Sequence, residues 1–280
     1  MNRFSLIPTR PLHRLLLAIM VVVAVLGGFA TADRITTANA IHTEMDRADN
    51  VARLAAASYR QQVGKFQLVT TTLSADPDVG LFLRTRSPDA ARRLNVRLAG
   101  LSAALDASVI YLLDGHGRTM ASSNWAQPDS FLGRDYSFRQ YFKGAMAQGQ
   151  RSQYALGTQS RIPGLYLARR VAMDPAFPGV IVVKIRFDRL EREWARLPGP
   201  AFVANDKGVI LISSRPDWRF QTIGVLTDAE KQRIRAQVEF GNAPLQQNHF
   251  YRHGRIVNRP AGRSSNGAYV ESIAPLADGW

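Results

Sequence analysis

The sequence predicts an α+β protein: two small tandem domains behind an N-terminal apolar segment and one long helix. Three observations carry this. Tyr111-Leu-Leu-Asp-Gly-His-Gly-Arg-Thr-Met-Ala-Ser-Ser123 aligns without a gap on Phe202-Val-Ala-Asn-Asp-Lys-Gly-Val-Ile-Leu-Ile-Ser-Ser214, 91 residues later. Each copy reads as a strand, a tight polar turn and a second strand, with Gly117 and Gly208 where the turn needs positive φ. Leu15 to Ala32 is an uncharged run of 18 residues. From Asp33 to about Ala75 apolar residues recur every three or four positions with no proline.

The elements follow in chain order. The 18-residue run would be roughly 27 Å long as a helix, enough to cross a bilayer core. Arg3, Arg10, His13 and Arg14 precede it, which keeps residues 1–14 in the cytoplasm and sends the following chain outward. Residues 15–32 therefore read as a transmembrane helix. The rival is a cleaved signal peptide ending at Ala30-Thr-Ala32. Residues 33–76 read as a stalk helix whose stripe (Ala38, Ile41, Met45, Ala48, Ala52, Ala55, Tyr59, Val63, Phe66) can pair with a twin helix. Asp76-Pro-Asp78 ends it.

Residues 77–197 form the expected first domain. It opens on an amphipathic helix over 87–105, with Leu94, Leu98, Leu101 and Leu105 on one face. Strands are predicted at Val109–Leu113, Thr119–Ser123, Gly164–Val171 and Gly179–Ile185. Leu197-Pro-Gly-Pro200 marks the boundary. Residues 198–280 form the expected second domain, with strands near Ala201–Ala204 and Val209–Ser213, a helix near Thr227–Phe240, and strand-like pieces after His249. Short strands with few helices suit a PAS-like sheet in each domain. The second domain is expected to be truncated, because the chain stops on a strand-and-turn pattern before any second membrane-type run.

Composition narrows the function. There are no cysteines, which excludes disulfide staples and cysteine metal sites. The net charge of +14 rests on 31 Arg and 5 Lys. The arginines are scattered and no basic stripe alternates with aromatics, so no nucleic-acid partner is expected. His42-Thr-Glu-Met-Asp-Arg47 echoes a phosphoacceptor box, but no Gly-rich nucleotide loop follows. His249 and His253 are four apart without a third ligand, so no metal site is expected. No catalytic residue is expected.

The densest constellation lies in the first domain: Ser123-Asn-Trp125, Asp135-Tyr-Ser-Phe-Arg-Gln-Tyr-Phe142, Tyr154-Ala-Leu-Gly-Thr158 and Val180-Ile-Val-Val-Lys184. Period-two alternation puts Lys184 on one face with Val182 and Val180, where a lysine must reach solvent or meet an anion. Arg139 stands among Tyr136, Phe138, Tyr141 and Phe142. Aromatic walls around a guanidinium form a site for a planar carboxylate, or else a plain cation–π contact.

These residues resemble the periplasmic sensor of DctB-type histidine kinases, which detect four-carbon dicarboxylates. The resemblance runs through the segments just quoted and through Ser213-Ser-Arg-Pro-Asp-Trp-Arg-Phe220. It extends over the anchor, the stalk and a tandem double-Cache (PAS-like) layout. It implies a distal pocket built by Tyr136, Arg139, Gly157, Thr158 and Lys184. Arg139 would clamp one carboxylate and Lys184 the other. Thr158 and Tyr136 hydroxyls, with backbone amides near Gly157, would complete the shell, and Gly157 stands where relatives can carry serine. Two departures are visible: Gln140 replaces an expected proline, and Arg161 adds a charge near the pocket.

The resemblance also implies a homodimer in the bacterial inner membrane with its sensor domains in the periplasm. It implies a missing kinase part that uses ATP and magnesium and addresses a cytoplasmic response regulator. This stretch itself would need no cofactor and have no activity. The same layout also serves chemoreceptors and cyclic-dinucleotide signalling proteins, and signal-peptide cleavage would instead give a secreted small-anion-binding protein.

Overall fold

A computed structural model describes residues 11–171, 173–236, 239–249, 255–257 and 268–270. The chain divides into two bodies. The first comprises residues 1–50 and 255–272. Its described parts are the start of helix α1 (Pro11–Ser74) and a parallel pair of strands, β8 (Arg255–Val257) and β9 (Ala268–Val270). Among the described residues no helix is long and apolar enough to cross a membrane. The side chains of 15–17, 30 and 32, within the span expected at 15–32, lie outside the described residues, as does His253.

The second body, residues 51–254 and 273–280, carries the rest. Helix α1 runs without interruption to Ser74, so the expected stalk is the C-terminal part of one continuous helix. Asp76 then caps α2 (Pro77–Thr85): its carboxylate accepts from the Asp78 amide at 2.9 Å, and Pro77 takes the first helical position, where no amide is needed. Helix α3 (Pro88–Leu105) follows.

Five strands make the main sheet: β1 (Val109–Asp114), β2 (Thr119–Ser122), β3 (Gln150–Leu156), β4 (Pro163–Val171) and β5 (Gly179–Ile185). Their order is β2-β1-β5-β4-β3, and every neighbour is antiparallel. Strand β3 and helix α4 (Gln140–Gln148), which leads into it, were not expected. The α4 segment is only nine residues long, so its aromatic spacing gives little periodicity.

The sheet buries both faces, as the continuous apolar runs of β1 and β5 require. One face sets Ile110, Leu112, Leu165, Ile181 and Val183 against Tyr59, Val63 and Phe66 of α1 and Leu94 and Leu98 of α3. The other sets Tyr111, Val180, Val182 and Tyr166 against Tyr141, Phe142 and Ala145 of α4 and the loop residues Phe131 and Tyr136. Each such ring contributes about 1.5–3 kcal/mol by burial.

Beyond β5, helix α5 (Asp188–Trp194) leads to the second hairpin, β6 (Phe202–Ala204) with β7 (Ile210–Ser213). Helix α6 (Asp228–Ala236) lies inside the predicted 227–240 stretch. Where a second PAS-like sheet was expected, the described residues form this two-stranded sheet, extended by isolated bridges of Thr222 to Val209 and Gln247. Most of the chain after His249 lies outside the described residues.

Candidate functional site

One row of side chains crosses the second face of the main sheet. Pairing places Val109 of β1, Lys184 of β5, Tyr166 of β4 and Gln153 of β3 side by side. Lys184 is 1% exposed, so alternation has carried an ammonium group into an aromatic wall. Its Nζ lies 5.5 Å from the centre of the Tyr166 ring. Arg139 caps the N-terminus of α4, is 2% exposed, and holds its Cζ 6.0 Å from the centre of the same ring. The Phe138 ring lies 5.2 Å from that guanidinium carbon. Two residues 45 positions apart in sequence thus meet over one tyrosine.

The end of β3 and the loop after it bring the remaining residues in. Arg139 Nη2 donates to the Leu156 carbonyl at 2.8 Å. Gly157 follows, and a Cβ there would stand 2.8 Å from Lys184 Nζ and 2.5 Å from Ser160 Oγ. No larger residue fits without displacing the ammonium. Lys184 Nζ donates to Ser160 Oγ at 2.8 Å and to the Ile162 carbonyl at 2.9 Å. The Gly157 amide is itself engaged with the Ile162 carbonyl at 3.1 Å. Thr158 is exposed at the turn. Tyr136 packs its ring 5.7 Å from Tyr111 and 5.6 Å from Phe131. Its hydroxyl is buried and makes no hydrogen bond of normal geometry.

Burial shapes the electrostatics. Desolvation, with the nearby charges of Arg186 and Arg139, pushes the Lys184 ammonium down to about 8. Burial pushes the Tyr136 phenol up to about 12, opposed by the Thr158 side chain and the Arg139 charge. Tyr111 and Tyr141, whose hydroxyls meet at 2.8 Å, are held neutral well above the ordinary phenol range, again mainly by burial. Like charges buried together favour an anion, since a carboxylate would relieve both.

Tyr136, Arg139, Gly157, Thr158 and Lys184 therefore surround one place in the fold. A separate cavity of about 920 Å³ opens elsewhere, beside Gln153, Asp206, Lys207 and Glu239, and none of the five lines it. Sequence reasoning missed Tyr166, Ser160 and Ile162. Tyr166 was findable, because alternation on β4 gives it the same face as Lys184 once the strands are paired. Ser160 and Ile162 were not, because a loop has no periodicity. Gln140 occupies the first position of α4, where proline is well suited, and Arg161 is exposed at φ 53°. Among the described residues no group of acidic or histidine side chains could hold a metal ion.

No protein-family model matches the chain. The sequence is similar to the C4-dicarboxylate transport sensor protein DctB of Rhizobium meliloti, 36% identical over 226 residues, covering 81% of this chain and 36% of the relative. The DctB of Pseudomonas aeruginosa is 40% identical over 147 residues, covering 52% of this chain and 24% of that one. The fold is similar to the crystal structure of the V. cholerae histidine kinase DctB sensor domain, with a TM-score of 0.66 and 27% identity over 77% of this chain and 81% of that one. The chain carries a DctB-type sensor region. It spans about a third of the length of the first curated relative, and the DctB-type region accounts for most of this chain. That region has the mixed α/β, PAS-like (Cache) fold.

Proposed function

We propose that this chain is the extracytoplasmic sensor module of a two-component histidine kinase, and that it binds four-carbon dicarboxylates such as succinate, fumarate and malate to control their transport. One observation carries the reading: Arg139 and Lys184, from separate elements, face the same Tyr166 ring in one buried site. A diacid gives each cation a carboxylate. Arg139 grips one with two parallel hydrogen bonds, and Lys184 meets the other as a point charge. The buried Tyr136 hydroxyl and the exposed Thr158 hydroxyl supply the remaining polar contacts.

The parent protein, on this reading, is a homodimer anchored in the bacterial inner membrane by residues 15–32, with residues 77–197 as the distal ligand-binding domain and 198–280 as the proximal one. The sensor faces the periplasm. A kinase part outside this chain uses ATP and magnesium and passes phosphate to a response regulator. Ligand binding shifts the population of a closed distal domain, and differential affinity for that form supplies the signalling free energy.

Hydrogen bonds to charged groups contribute about 1.5–3 kcal/mol each, so four or five, less the cost of immobilisation, give micromolar to millimolar affinity. Calorimetric titration of the purified chain with succinate, fumarate and malate tests this. Arg139→Ala and Lys184→Ala are each expected to weaken binding about 100-fold or more. Circular dichroism checks that both variants fold. Unchanged affinity in the two folded variants removes the assignment.

A further inference from the structure

The ammonium of Lys184 is held by the loop between β3 and β4. Residues 157–162 fold back on themselves: the Arg161 amide donates to the Gly157 carbonyl at 3.0 Å, and the Gly157 amide donates to the Ile162 carbonyl at 3.1 Å. Arg161 adopts φ 53° to close this knot, a conformation that costs a non-glycine residue about 1 kcal/mol or more. The bend presents two oxygens, Ser160 Oγ and the Ile162 carbonyl, to Lys184 Nζ at 2.8 and 2.9 Å. The Ile162 amide donates to the same Ser160 oxygen at 3.3 Å, which orients the hydroxyl from behind.

An ammonium has three N–H groups and accepts nothing. Two are taken by the loop, which leaves one to point at a ligand. The Ile162 carbonyl belongs to the backbone and survives any substitution there. Ser160 is the only side chain that accepts from Lys184 among the described residues. We propose that Ser160 is a positioning residue for anion binding: its hydroxyl oxygen holds the Lys184 ammonium charged and aimed, so that a carboxylate meets it preformed. The inference rests on the reading that Lys184 receives a ligand carboxylate.

The charge state gives the signature. Burial first, and then Arg186 and Arg139, disfavour the ammonium and push it down to about 8, while Asp129 and Asp188 favour it. Affinity for a dicarboxylate is therefore level below pH 8 and falls as the pH rises through that value. A hydrogen bond accepted from the charged form favours that form, so losing the Ser160 oxygen moves the fall to lower pH.

Succinate is titrated calorimetrically into the purified chain, Ser160→Ala, Ser160→Thr and Lys184→Ala between pH 6 and 9.5. In Ser160→Ala the bend is expected to move down by about half to one pH unit, with affinity about twofold to fivefold weaker at pH 8 and nearly unchanged at pH 6. Ser160→Thr, which keeps the oxygen, is expected to restore the wild-type profile. A Ser160→Ala profile that bends where the wild type does, whether its affinity is equal or uniformly weaker, overturns the positioning role and leaves the dicarboxylate site standing. Wild-type protein that takes up no succinate, or Lys184→Ala protein that binds as tightly as wild type, overturns both.

Discussion

The β1–β2 and β6–β7 hairpins are alike to the level of single hydrogen bonds, and they serve different ends. In the β1–β2 hairpin the Asp114 carboxylate accepts from the amides of His116 and Arg118. In the β6–β7 hairpin the Asn205 side-chain oxygen accepts from Lys207 and Val209. Ser123 Oγ accepts from the Ile110 amide at 2.9 Å, and Ser214 Oγ accepts from the Ala201 amide at 3.0 Å. The Gly117 carbonyl accepts from Tyr136, and the Gly208 carbonyl from Ile223. Both ladders shift register at the same point, between Leu112 and Leu113 and between Val203 and Ala204.

The copies diverge at what is hung on them. Where the first hairpin's bonding scheme delivers Tyr136 and its hydroxyl, the second delivers Ile223. The first is joined through β1 to β5, β4 and β3, and so to Lys184 and Tyr166; the second is a two-stranded sheet. The hairpin is thus a common scaffold. The chemistry of the candidate site comes from the three further strands and from α4. The paired cations, Lys184 buried and Arg219 half-buried, differ in the same way. Lys184 donates to neutral oxygens, whereas Arg219, beside the second hairpin, donates to both oxygens of Glu191 at 2.6 and 2.7 Å. A cation that is given a carboxylate by the fold is structural, and one that is given neutral acceptors leaves room for a ligand's.

The sharpest test of this contrast is at equivalent amides. The Ser213 amide donates to the Glu191 carboxylate at 3.2 Å, and the Ser122 amide to the Asn95 side-chain oxygen at 2.8 Å. Both partners are buried. Glu191→Ala takes the carboxylate from half-buried Arg219 as well as from the amide, so it is expected to cost about 2–4 kcal/mol. Asn95→Ala leaves one neutral donor unmet and is expected to cost about 1–3 kcal/mol. Urea denaturation of the two variants measures the difference. Equal costs would mean that the charge pair adds nothing beyond its hydrogen bond to the chain.

Next come the turn glycines, both at positive φ (87° at Gly117, 72° at Gly208). A Cβ at Gly117 would lie 2.6 Å from the backbone of Ser137, in the loop between Tyr136 and Arg139. At Gly208 the nearest atom, Ile223 Cβ, is 3.7 Å away. Gly208→Ala therefore carries the backbone strain alone, about 1 kcal/mol, while Gly117→Ala adds a clash and is expected to cost about 3 kcal/mol or more. If dicarboxylates bind at Arg139, only Gly117→Ala is expected to weaken that binding. Loss of affinity in Gly208→Ala would break the separation of scaffold from site.

What the sequence disclosed follows the same line. The hairpins were legible because their turns need Asp or Asn and Gly at fixed positions, and β5 because seven consecutive residues, Gly179–Ile185, are apolar but for Lys184. The face of Lys184 followed from strand alternation. Helix α4, helix α5 and strand β3 were not legible. The helices are nine and seven residues long, too short for a period to emerge. Strand β3 begins Gln150-Arg-Ser-Gln153 and has an exposed start, so no apolar run announces it. Its conformation is imposed by pairing with β4, a tertiary effect that overrides local preference. The meeting of Arg139 with Lys184 depends on α4 and on the β5–β4 pairing, so it came into the sequence reading through motif resemblance and not through pattern.

The smallest effect expected is at the paired serines, and it tests the likeness rather than the difference. Each hydroxyl oxygen accepts one backbone amide thirteen residues upstream, from Ile110 within β1 and from Ala201 just before β6. Replacing either serine by alanine removes one neutral hydrogen bond and is expected to cost about 1 kcal/mol. Because the two geometries agree within 0.1 Å, at 2.9 and 3.0 Å, Ser123→Ala and Ser214→Ala are expected to shift the denaturation midpoint by similar amounts. The double variant is expected to show the sum, since the two sites share no hydrogen-bond partner. A midpoint shift confined to one of the two would show that the hairpins, though built alike, are not held with equal strength by the structure around them.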